Sequence, residues 1–180
     1  QRQGGRQPPL GRRGQHDGKP LAKLRHDIPD LAIRTTFISG FPGETDRDHE
    51  ELKQFVASAK FERLGVFPYS LEPGTPAEML EGHLPEEVKA ERVAAIMEVQ
   101  QAVAFEWAQS QVGREHPVVI DGPDPEFANH FRGRTYADSP DIDCEIRVKG
   151  KGLRPGDFIK VKVTAADGYD LAGRGIGAAW

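Results

Sequence analysis

A chain of 180 residues, 37% hydrophobic and 29% charged, carries enough apolar content for one large or two small globular domains. Its formal net charge of −4 argues against a stand-alone nucleic-acid binder, and no apolar run approaches the roughly 18 residues that span a membrane. A lone cysteine, Cys144, excludes an internal disulfide framework, and the six scattered histidines show no metal-ligand spacing, so a cytoplasmic protein is the default expectation.

Charge is unevenly spread. Residues 1–20 carry five Lys or Arg against Asp17, whereas residues 21–113 hold nine against sixteen acids and residues 114–180 hold ten against eleven. The first 19 residues are Gly, Gln, Arg and Pro with almost no apolar content and no secretory core. They cannot bury enough surface to offset ordering entropy, and residues 1–20 are expected to be a disordered or non-native start.

Leu21, Leu24 and Ile28 stand at helical spacing, and Pro29 ends that helix. Leu31 to Ser39 reads as a strand buried on both faces, because it shows little alternation. Thr45 and Asp48 have the spacing of a capping box, and Leu52, Phe55 and Val56 give the following helix an inward face. "RLGVFPYS" (63–70) is a second hydrophobic strand. Alternation of helix and strand predicts α/β structure with parallel strands. A proline-started turn follows, and then Pro85 opens a long helix to about Val112 with Val88, Ala95, Ile96, Val99 and Val103 inward. Gly113 suits its end, and a domain break is expected there.

Beyond Gly113 the period falls to two. Strands are predicted at 116–121, 131–136, 144–149, 157–164 and 169–174, separated by "DGPDP", "ADSPDID", "KGKGLRPGD" and "ADG". In "FIKVKV" Phe158 is out of step by one, as a bulge would allow. Five short strands in this space predict a small antiparallel barrel of the OB-like kind over 114–175, with 176–180 as a tail.

Two stretches lie at carboxyl ends of parallel strands, where α/β folds bind ligands. "GFPGET" (40–45) offers glycine backbone and the N–H groups of a helix start, although acidic Glu44 opposes a phosphate. It is either a ligand turn or a bare strand-to-helix turn. Phe67 and Tyr69 line a pocket or cover a barrel rim. In the loop "GRTYADSPDID", Asp138, Asp141 and Asp143 do not have the spacing of an EF-hand calcium loop; they fit an ordinary Asp-rich turn or a recognition loop.

The stretches "LAIRTTFISGFPGETDRDHEEL", "RLGVFPYSLEPGTPA", "LPEEVKAERVAAIMEVQQ" and "GRTYADSPDID…GDFIKVKVTAADGYDLAGR" resemble, in order over residues 21–175, the carboxyl-terminal half of the methylthiotransferases. These are radical S-adenosylmethionine (SAM) enzymes with an appended TRAM domain. "RTYADSPDID" and "ADGYDL" point to the RimO branch, which methylthiolates an aspartate of small-subunit ribosomal protein S-twelve. The MiaB branch, which modifies a tRNA adenosine, is the alternative, as is a non-enzymatic TRAM-type module that binds RNA or the ribosome. A balanced terminal barrel favours the protein substrate over tRNA.

The resemblance implies a partial radical SAM (TIM-like) barrel over 21–113 followed by a small all-β OB-like TRAM barrel. It implies that Arg34, Thr36, Ile38, Gly40, Phe67 and Tyr69 lie on SAM, and that Thr135, Tyr136, Asp138 and Asp143 meet the substrate protein. The intact family enzyme also holds [4Fe–4S] clusters on cysteine triads. This chain has only Cys144, expected as a small core residue of the barrel. By this reading it is a fragment, catalytically incomplete by itself, with no catalytic or metal-ligating residue to assign.

Overall fold

The computed structural model describes residues 19–179; the expectation for the first 18 residues lies outside the described residues. Of the described residues, 19–31 belong to one unit and 32–179 to another. In the first, helix α1 (Lys19–Asp27) stops just ahead of Pro29. Among the described residues no helix is long and apolar enough to cross a membrane.

The second unit begins with strand β1 (Arg34–Ser39), helix α2 (Asp46–Ala59) and strand β2 (Arg63–Pro68). β1 and β2 pair in parallel, with Thr36 opposite Gly65 and Ile38 opposite Phe67. The capping box forms: Thr45 accepts from the Asp48 N–H and the Asp48 carboxylate accepts from the Thr45 N–H. Helix α3 (Glu86–Ser110) packs with α2 on one face of the strand pair, around Val56, Val66 and Ile96. That face takes Phe37, Leu64 and Val66. The other face presents Arg34, Thr36, Ile38 and Phe67, with Ile38 and Phe67 each 61% exposed. The expectation of burial on both faces therefore fails for β1. A run of apolar and β-branched residues hides the alternation, because Thr and Ile suit either face.

Five strands follow: β3 (Glu115–Pro123), β4 (His130–Arg134), β5 (Ile146–Lys149), β6 (Phe158–Asp167) and β7 (Asp170–Ala178). They close into a barrel in the order β3-β4-β5-β7-β6. All five lie where period-two patterning predicts, but β5 pairs with β7 in parallel, so the barrel is not purely antiparallel. Val118, Ile120, Ile146, Val148, Val161 and Val163 fill its interior. Phe158 needs no bulge: it faces outward with Lys160, in step with inward Ile159 and Val161. β7 runs on to Ala178, which pairs with Ile159.

α3 serves both halves of this unit. Its first turns sit on the strand pair, while Ala108 and Trp107 near its end pack into the barrel core. Its inward side is not purely apolar: Lys89, Arg92 and Gln100 are buried along it. Gln100 donates to the Phe61 carbonyl at 2.9 Å, which satisfies a backbone acceptor at the end of the α2–β2 connection.

Candidate functional site

The carboxyl ends of β1 and β2 meet at the turn 40–45. Gly40 has φ +84, and a Cβ there would stand 2.6 Å from Cγ of Lys89, so only glycine fits. The Glu44 carboxylate folds back to accept from the Gly40 N–H at 2.8 Å. Arg92 from α3 holds Glu44 at 2.6 Å and Asp46 at 2.7 Å. Burial opposes the Arg92 charge, but hydrogen bonds to Asp46 and Glu44 outweigh it and raise its pKa. Lys89, also buried, donates to the Tyr69 carbonyl at 3.0 Å and to Glu86 at 2.7 Å. The turn is thus locked from behind by two cations of α3.

Beside Arg92 sits His49, whose pKa is pushed below the ordinary value, first by burial and then by Arg92. Its Nδ1 is buried without a hydrogen-bond partner among the described residues, as is the Tyr69 hydroxyl.

Of the residues expected on SAM, Arg34, Thr36, Ile38 and Phe67 share the exposed strand face. Tyr69 does not join them. The strand ends at Pro68, and Tyr69 turns inward against Phe41 at 5.1 Å and His83 at 6.2 Å, with Lys89 Nζ 5.3 Å from its ring. Gly40 is filled from behind by Lys89 rather than left as a cradle.

The residues expected on the substrate gather at the opposite end. Arg34 and Arg63, in register at the amino ends of β1 and β2, each reach an aspartate of the barrel loop. Arg34 pairs with Asp143, and Arg63 with Asp138. Arg63 also lies 4.6 Å over the Trp107 ring. The second Asp138 oxygen accepts from Thr135 Oγ1 at 2.6 Å and from the Thr135 N–H at 3.2 Å. Thr135, Asp138 and Asp143 are thereby buried in a brace between barrel and strand pair. Tyr136, 49% exposed, turns its ring outward beside His116. Six residues of strand at about 3.3 Å each put roughly 17–20 Å between this brace and the 40–45 turn, so the two predicted residue sets do not form one site.

Cys144 is half-buried near this brace, not inside the barrel core, and burial pushes its thiol pKa up. A single protonated thiol does not fit an iron–sulfur cluster, which needs several thiolates. Among the described residues no group of His, Cys, Asp or Glu could hold a metal ion. Spacing patterns missed Lys89, Arg92, Arg63 and Trp107, whose roles depend on contacts across the fold, and marked Glu44 only as opposing a phosphate, not as the residue that closes the turn.

A TRAM domain model matches residues 112–176. Similar curated proteins include the ribosomal protein uS12 methylthiotransferase RimO of Lachnoclostridium phytofermentans, 51% identical over 154 residues, which is 85% of this chain and 35% of the relative. Those of Carboxydothermus hydrogenoformans and Pelotomaculum thermopropionicum are 44% and 42% identical over 167 residues, 91% of this chain and 38% of each relative. The chain thus spans little more than a third of the length of the curated relatives it matches. Identities of this size across most of the chain, with a TRAM barrel in the matching place, show a sequence related to the carboxyl-terminal, TRAM-bearing part of the RimO-type methylthiotransferases.

Proposed function

We propose that this chain is the distal part of a radical SAM methylthiotransferase that places a methylthio group on the β-carbon of an aspartate in ribosomal protein uS12, in the cytoplasm. The single observation behind this is 42 to 51% identity to RimO proteins over both the strand pair and the barrel, rather than over the TRAM domain alone. The strand pair is then part of a TIM-like barrel.

Thr36, Ile38 and Phe67 suit one wall of a SAM pocket: a hydroxyl and two apolar side chains on an exposed face. Bound there, SAM supplies the methyl group and the radical chemistry. Gly40 and Tyr69 support that wall from behind, and Arg34 stands at its far end. The residues of this chain do not fit an iron–sulfur cluster, since Cys144 is its one thiol.

On the substrate side, Tyr136 is the residue of the four that is open to uS12. Thr135, Asp138 and Asp143 act through the brace, by fixing where the barrel points. A protein substrate is favoured over tRNA. Titration of the purified chain with purified uS12 by calorimetry tests the reading. A saturable complex, weakened several-fold by Tyr136→Ala, is expected. Failure to bind uS12 would overturn the assignment of this partner to the barrel.

A further inference from the structure

One long connection arches from the carboxyl end of β2, after Pro68, to the start of α3 at Glu86. Two backbone hydrogen bonds pin it. The Tyr69 N–H donates to the Ser39 carbonyl at 2.8 Å, and the Gly43 N–H donates to the Gly82 carbonyl at 3.0 Å. The first pin lies at the end of β1 and the second at the turn that follows it.

Between the pins the arch bonds only to itself. The Gly74 N–H donates to the Glu78 carboxylate at 2.7 Å, Thr75 Oγ1 to the Glu72 carbonyl at 2.8 Å and the Leu80 N–H to the Ala77 carbonyl at 3.2 Å, around the 3₁₀ turn Pro76–Met79. Residues 70–81 make no hydrogen bond to any other part of the described chain except His83. None of residues 70–84 is buried. A segment that is stiff within itself, held at two points and packed against little moves as one body at low cost.

The surroundings fix where the arch can swing. α2 and α3 fill one face of the strand pair. The other face is open, with Ile38 and Phe67 exposed near the strand ends where the arch is pinned. The arch carries Leu71, 47% exposed, and Met79, 80% exposed. Four apolar side chains thus stand in water as the arch now lies, and a methionine thioether packs favourably on an aromatic ring. Gly82 suits the axis. Its φ is +81, and a Cβ there would stand 3.1 Å from the Gly43 nitrogen, so a larger residue would wedge the pin open.

We propose that residues 70–81 form a lid that turns about the Ser39–Tyr69 and Gly43–Gly82 pins and closes on the Ile38–Phe67 face, with Met79 against Phe67. Closure takes a ligand on that face out of water. The lid belongs to this chain alone and its test uses no SAM, so it stands or falls apart from the methylthiotransferase reading.

The chain has two methionines. Met97 packs against the core around Val56, Val66 and Ile96 and serves as a fixed reference. With both methionine methyl groups labelled with carbon-13, NMR relaxation dispersion of the purified chain is expected to show μs–ms exchange at Met79 and none at Met97. Met79 should also give nuclear Overhauser contacts to the Phe67 ring. Phe67→Ala, at an exposed position, should leave the fold intact and at least halve the exchange at Met79. Gly82→Ala should quicken deuterium exchange of the Gly43 amide at least tenfold, leave the Tyr69 amide unchanged and remove the Met79–Phe67 contact. A Met79 methyl with neither dispersion nor contact to Phe67, or dispersion unaltered by both substitutions, would overturn the proposal.

Discussion

Arg63 and Asp138 stand 75 positions apart in sequence and form an ion pair whose side chains are only 9% and 4% exposed. Removing one partner of such a pair leaves an uncompensated charge and costs about 3–5 kcal/mol. Arg63→Met and Asp138→Ala are each expected to lose stability of that order in denaturant unfolding. Their combination should lose clearly less than the sum of the two, because neither stranded charge remains. Strict additivity would mean that the pair does not hold the barrel to the strands.

Gly40 and Gly43 separate two costs that usually come together. Both have positive φ, +84 and +83, but a Cβ at Gly40 collides with Lys89 whereas one at Gly43 meets nothing within 4 Å. Gly43→Ala should lose about 1–2 kcal/mol from backbone strain. Gly40→Ala should lose at least about 1 kcal/mol more from overpacking. Equal losses in thermal or denaturant unfolding would show that Lys89 yields freely.

Glu44 closes its turn through the Gly40 N–H and is itself held by Arg92. Glu44→Gln keeps the size but weakens both bonds, which are charge-assisted in the parent. Exchange of the Gly40 amide with deuterium is expected to quicken at least tenfold, with little change in the barrel strands.

His49 resists protonation in the fold, through burial and the neighbouring Arg92, against an ordinary value of 6.5. The unfolded chain therefore binds more protons as pH falls through 6.5, and the fold loses stability there; above that range His49 is neutral in both states and contributes no such dependence. Melting temperature should drop between pH 7 and 5 more steeply in the parent than in His49→Gln. Parallel curves for the two proteins would rule out His49 as a source of the acid sensitivity.

The barrel strands were legible because each alternates between a filled interior and solvent, and period two survives in a single sequence. The parallel β5–β7 pairing was not, since nothing local to Ile146–Lys149 or to Asp170–Ala178 names its neighbour. The 40–45 turn announced itself through glycine and proline. Its lock did not, because Lys89 and Arg92 sit on a helix where buried cations look like ordinary surface charge. Asp138 and Asp143 misled for the same reason: an Asp-rich loop has the composition of a recognition surface until the arginines that occupy it, far back in the chain, come into contact.

Helix α3 works as a ruler. Its 25 residues run without interruption from the strand pair to the barrel. Adding one residue mid-helix would swing everything beyond it by about 100° and advance it 1.5 Å, carrying Trp107 away from Arg63. A change in the length of the loop after β2 would cost little, because loop-closure entropy grows slowly with length. The same change within α3 would re-aim the barrel, so the direction in which the terminal domain faces is written in the length of one helix.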